Sequence, residues 1–98
     1  MEREHKSSGK RIVITVIGQD RIGIIAGVTK VLAENDVNIL DISQTILQEF
    51  FTMILVADMH VSPIDLSELK EQLISKGEEI GVRIEVQHED IFRYMHRV

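Results

Sequence analysis

The chain has 98 residues and a formal net charge of -5, from 11 basic and 16 acidic side chains. A chain of this length closes one hydrophobic core and no second domain, and an acidic balance argues against a nucleic-acid or anionic-membrane surface, which needs a basic face. It contains no cysteine, which removes disulfides, thiolate zinc sites and cysteine nucleophiles together.

Residues 1–9 (MEREHKSSG) are polar and without periodicity, the pattern of a flexible leader ahead of a single domain over 10–98. They carry no apolar signal core, and no apolar run approaches the roughly 20 residues that span a bilayer. A cytoplasmic location without membrane contact is expected. Arg11 to Ile17 is almost unbroken β-branched sequence, the mark of a buried central strand. Gly18-Gln19-Asp20-Arg21 breaks it. From Gly23 the period changes: Ile24, Val28, Val31 and Leu32 form the stripe of an amphipathic helix that ends at Asn35-Asp36. A second strand is predicted over Val37 to Leu47 and a third over Phe50 to Val61, joined at Gln48-Glu49 as a hairpin. After Ser62-Pro63, Asp65 and Glu68 form a capping-box pattern. Leu66, Leu69, Leu73 and Ile80 mark a second helix, ending near Gly81 or as early as Gly77. Val82 to His88 alternates cleanly, with Val82, Ile84 and Val86 on one side and Arg83, Glu85 and Gln87 on the other. Ile91, Tyr94, Met95 and Val98 are spaced like one or two helical turns.

The order β-α-β-β-α-β is the split βαβ, or ferredoxin-like, arrangement, an α+β fold. Right-handed crossovers put two helices on one face of a four-stranded antiparallel sheet, with the Val37–Leu47 and Val82–His88 strands at its edges. Both central strands are apolar on both faces, so one apolar set is left over once the helices are placed. A second subunit, the C-terminal segment from Ile91, or both are expected to cover it. The segment from Ile39 to Leu47 has no proline, lysine or evident bulge, the usual protections of an edge. Pairing with another chain is expected, most simply as a two-fold, edge-to-edge dimer.

The loop Gly18 to Gly23 leads from a central strand into a helix start, where unpaired N–H groups can hold an anion or carboxylate. Gly18 permits a tight turn, and Gly23 permits close approach of a ligand. Asp20 can cap the helix or receive an ammonium group. A simple turn with an N-cap explains the same residues, and spacing alone favours it. Asn38 can present an amide to a ligand or merely close the Asn35-Asp36-Val37 turn. His5, His60, His88 and His96 lack metal-ligand spacing, so no metal and no cofactor is expected. Glu68, Glu71, Glu78 and Glu79 read as a solvated helix face. An RNA-recognition surface is excluded by the acidic charge and the absence of an aromatic in the first strand. Arg21 and Asn38 leave an acylphosphatase-like enzyme conceivable.

The run from Ile12 to Val28, with Gly18-Gln19-Asp20-Arg21-Ile22-Gly23-Ile24 at its centre, resembles the opening of an ACT domain. Asn38-Ile39-Leu40-Asp41-Ile42-Ser43-Gln44-Thr45, followed by Phe50-Phe51-Thr52-Met53, resembles the stand-alone ACT proteins of the UPF0237 group, which are similar to the ACT halves of the glycine cleavage system transcriptional repressor. The resemblance runs from Lys10 to Tyr94. It implies a non-enzymatic regulatory module that binds an amino acid or similar small ligand between subunits of a homodimer or higher assembly and signals to a partner protein. It implies that Gly18, Gln19, Asp20, Ile22, Gly23 and Ile24 form the loop side of the ligand site. Asn38, Ile39 and Asp41 of the other subunit form its second side. A dimerising adaptor without ligand is the alternative.

Overall fold

The computed structural model describes residues 10–19 and 22–95, with the side chains of Leu47, Tyr94 and Met95 left aside. The leader expected over 1–9, Asp20, Arg21 and His96 lie outside the described residues, as does Val98.

The elements are β1 (Arg11–Gln19), α1 (Ile24–Glu34), β2 (Asn38–Leu47), β3 (Phe50–Asp58), α2 (Leu66–Ile80), β4 (Arg83–His88) and α3 (Glu89–Met95). The sheet order is β2-β3-β1-β4, all antiparallel, so β2 and β4 are the edges as predicted. β1 and β3 are the apolar central pair because each must bury side chains over its whole length. Ile12, Ile14 and Val16 of β1 join Phe51, Met53, Leu55 and Ala57 of β3 beneath the helices. Ile24, Val28, Leu32, Leu69 and Leu73 of α1 and α2 close this core from above.

Local chemistry sets the helix ends. Asp65 accepts the Glu68 N–H at 2.9 Å while Glu68 Oε1 accepts the Asp65 N–H at 3.2 Å, the reciprocal capping box read from the sequence. α2 runs through Gly77 and stops at Gly81, whose φ of 90° a side chain would resist. Gly77 is a packing residue: a Cβ there would stand 2.8 Å from the Val82 carbonyl oxygen. α1 ends at Asn35, whose Nδ2 donates to the Val31 carbonyl at 2.9 Å and to Gln72 Oε1 of α2 at 2.7 Å. β3 is shorter than expected, ending at Asp58, because Asp58 Oδ1 accepts the His60 N–H at 2.8 Å and turns the chain.

The second face of the sheet is partly covered. α3, which leads directly from β4, packs against β1 and β4. The Arg11 guanidinium and Glu89 carboxylate pair at 3.3 Å across this contact. Val13, whose register places it opposite the helix face, is only 4% exposed. Farther along the same face Ile17, Ile54 and Phe50 remain 44%, 37% and 52% exposed. The C-terminal segment therefore covers one end of this face and leaves the other to solvent.

Candidate functional site

The Gly18–Gly23 loop and the start of β2 are placed by the sheet register. β1 and β2 run in the same direction on either side of β3. Asn38 pairs with Asp58, and Asp58 pairs with Arg11 at the beginning of β1. Gln19, at the far end of β1, pairs with Phe50, which pairs with Leu47. Asn38 and Gln19 therefore sit at opposite ends of the sheet, about eight strand residues or ~26 Å apart. Within one chain the structure does not bring the two predicted halves of the site together.

Each half has its own setting. Gly18 is the penultimate residue of β1, not a turn residue as the sequence had indicated. Its missing side chain makes room for β4, since a Cβ would meet Val82 Cγ1 at 2.9 Å. Gly23 is the N-cap of α1, with φ 94° and no side-chain capping bond. This is the cap position that the sequence reading had offered to Asp20, which lies outside the described residues. Ile22 is fully exposed and Ile24 is buried in the core. Gly27 donates its N–H to the Gly23 carbonyl at 2.9 Å, closing the first turn. The N–H groups ahead of it point out of the helix end, where a carboxylate is favoured.

Beside this helix start runs a groove of about 260 Å³ between α1 and β2, lined among others by Gly23, Ile24, Ile25, Gln44, Ile46 and Phe51. Its walls are apolar except for Gln44. A second, open groove lies toward the other end of α1, with Ala26, Lys30, Ala33, Val37, Asn38 and Ile39 among its lining residues. Ala26 belongs to both. Gln44, Ile46 and Ile25 had not been singled out from the sequence. The available signal was the alternation of β2, which puts Ile42, Gln44 and Ile46 on the side of the helices.

The edge itself differs from expectation in one respect. β2 carries a bulge, with a register shift between Ile39 and Asp41 that leaves Leu40 as the extra residue. Asp41 is exposed, and its Oδ1 accepts the N–H of Ile42 at 2.9 Å. Beyond it, Ile42 and Ile46 are 43% and 55% exposed although they face the helix layer, because β2 projects past the cover of α1. Glu68, Glu71, Glu78 and Glu79 are solvent-exposed on α2, as expected. Among the described residues no helix is long and apolar enough to cross a membrane.

A family model for the ACT domain matches residues 10–87. A UPF0237 protein of Methanocaldococcus jannaschii is 58% identical over 90% of this chain and 98% of its own length. The structure of an ACT domain protein from Streptococcus pneumoniae is 40% identical and superposes with a TM-score of 0.75, covering 85% of this chain and 93% of that one. A chain assigned as a glycine cleavage system transcriptional repressor superposes with a TM-score of 0.71 at 23% identity, over 80% of this chain and 44% of its own, a likeness of fold alone.

Proposed function

The chain belongs to the ACT domain family, in its UPF0237 group, and from that premise we propose that it is a regulatory module that takes up an amino acid between two subunits and passes the bound state to a partner protein in the cytoplasm. The observation that carries this reading is the separation of Asn38 from the Gly18–Gly23 loop by the length of the sheet. Two β2 edges paired antiparallel across a two-fold axis bring the β2 start of one subunit toward the loop end of the other. A ligand held there touches both subunits, so its binding energy is tied to assembly, the physical basis of a regulatory signal.

The chemistry suits a small zwitterion. The α1 N-terminus offers N–H groups to a carboxylate. Ile25, Ile46 and Phe51 give an apolar wall of modest size. Asn38 and Asp41, both exposed, supply an amide and a carboxylate from the other subunit for an ammonium group. An acylphosphatase-like reaction gains no support, because Asn38 lies at the opposite end of the sheet from Gln19, the last residue of β1.

Thermal-shift and calorimetric titration against the twenty amino acids tests the reading. At least one is expected to bind, stabilising the protein by about 2.7 kcal/mol at a hundredfold excess over Kd. Asn38→Ala is expected to weaken that binding at least tenfold without unfolding the protein. An intact dimer that responds to none of the twenty would contradict ligand binding and leave a dimerising adaptor.

A further inference from the structure

We propose that the chain carries a second small-molecule site, separate from the shared one, in a cavity that takes a short branched aliphatic carboxylate. The cavity has a volume of about 140 Å³ and lies on the helix side of the sheet, where β1 begins and β4 ends. There the register sets Ile12 of β1 against His88 of β4. β3 stands between this place and β2, and the α1 start follows the far end of β1. The cavity is therefore lined by one chain and does not depend on the shared-site reading.

The lining sets the chemistry. Ile12 and Met59 form a buried floor, 1% and 7% exposed. Ile64 and Leu66, packed half-buried against the core, add apolar walls. Backbone bonds hold the surrounding chain: Met59 donates its N–H to the Lys10 carbonyl at 2.9 Å, and Ser62 donates to the Met59 carbonyl at 3.0 Å. An apolar cavity of about 150 Å³ accepts benzene, so roughly four or five carbons of a branched chain fit here.

Lys10, Ser62 and Asp65 border the same cavity. The Asp65 carboxylate is committed to α2: its Oδ1 accepts the Glu68 N–H at 2.9 Å, at a helix end that favours negative charge. His88 serves its own segment, with Nδ1 accepting the Asp90 N–H at 3.1 Å. The exposed Lys10 ammonium forms no ion pair among the described residues. Ser62 Oγ accepts the Ile64 N–H at 3.4 Å, which leaves its proton to donate. An unanswered cation and a hydroxyl donor beside an apolar floor suit a carboxylate head on a hydrocarbon tail.

Isovalerate, titrated into protein with isotope-labelled methionine methyl groups, is the probe. The Met59 methyl resonance is expected to shift to saturation, while that of Met53, buried in the core outside the cavity, stays in place. Lys10→Gln keeps the backbone bond to Met59 and is expected to raise the isovalerate Kd about tenfold, the loss of one hydrogen bond to a charged group. Asn38→Ala is expected to leave that Kd unchanged, which separates this site from the shared one. Isopentylamine, with an ammonium in place of the carboxylate, and leucine, with an ammonium added, are expected to bind at Met59 more weakly than isovalerate. A Met59 shift that never saturates, or that saturates equally in Lys10→Gln, overturns the proposal. Isopentylamine or leucine binding there as tightly as isovalerate overturns the carboxylate class. Either failure leaves the shared site standing, and a failure of the shared site leaves this cavity as it is.

Discussion

Gly18 lets two strands approach. A Cβ at this position would stand 2.9 Å from Val82 Cγ1 and 3.2 Å from the Val82 Cα, and a backbone atom cannot swing aside. Gly18→Ala is therefore expected to cost about 1–3 kcal/mol through overpacking, read as a lower urea midpoint with an unchanged slope. Gly23 presents the opposite case, since nothing lies within 4 Å of its absent Cβ and φ is +94°. Its role is conformational: it turns the chain into α1 and leaves the helix end open. The Gly-x-Asp spacing alone does not separate these two roles. Whether a glycine serves a turn or a close approach depends on what the fold places beside it, here Val82, more than 60 residues along the chain. Gly77 shows the same effect inside α2, where a residue that reads as a stop signal is retained in the helix because β4 presses against it.

β2 reads in two halves. Before Asp41 it is broken by a bulge and pairs irregularly with β3; after Asp41 it is a regular, bare edge with apolar side chains. Natural edges are commonly blunted by a lysine, and none stands between Asn38 and Leu47. Ile46→Lys supplies one. Ile46 is 55% exposed in the single chain, so the fold of each subunit is expected to persist. Self-association is expected to weaken by a factor of ten or more, about 1.4 kcal/mol, read by sedimentation velocity across a dilution series. Association unchanged by this substitution would remove the β2 edge from the interface. Much of this element was legible in sequence: its limits fell within a residue, and its lack of proline and lysine was evident. The bulge was not, because an extra residue in one strand is defined only by the partner strand it slides against. α3 was legible as helical spacing, and its segment was one of the covers expected for the second face; that it takes only one end of that face follows from the direction in which β4 delivers the chain and from the Arg11–Glu89 pair.

At the scale of the whole molecule, the alternation of elements was enough to specify the fold. A split βαβ order with right-handed crossovers has few alternatives, and the β-branched run of β1 could only be central. The candidate site was legible by halves. Glycine spacing and Asn38 marked the residues, but their separation by the length of the sheet follows from the antiparallel register, which no local pattern contains. The fold thus leaves a single subunit with an apolar edge, an open helix start at one end and the exposed Asn38 and Asp41 at the other. The proposed pairing of two subunits about a two-fold axis would account for all three features at once. Sedimentation equilibrium of the unmodified protein at micromolar concentration tests this most directly. A species of twice the 11.2 kDa chain mass is expected, whereas a folded species of 11.2 kDa that persists as concentration rises would contradict the shared site and everything built on it.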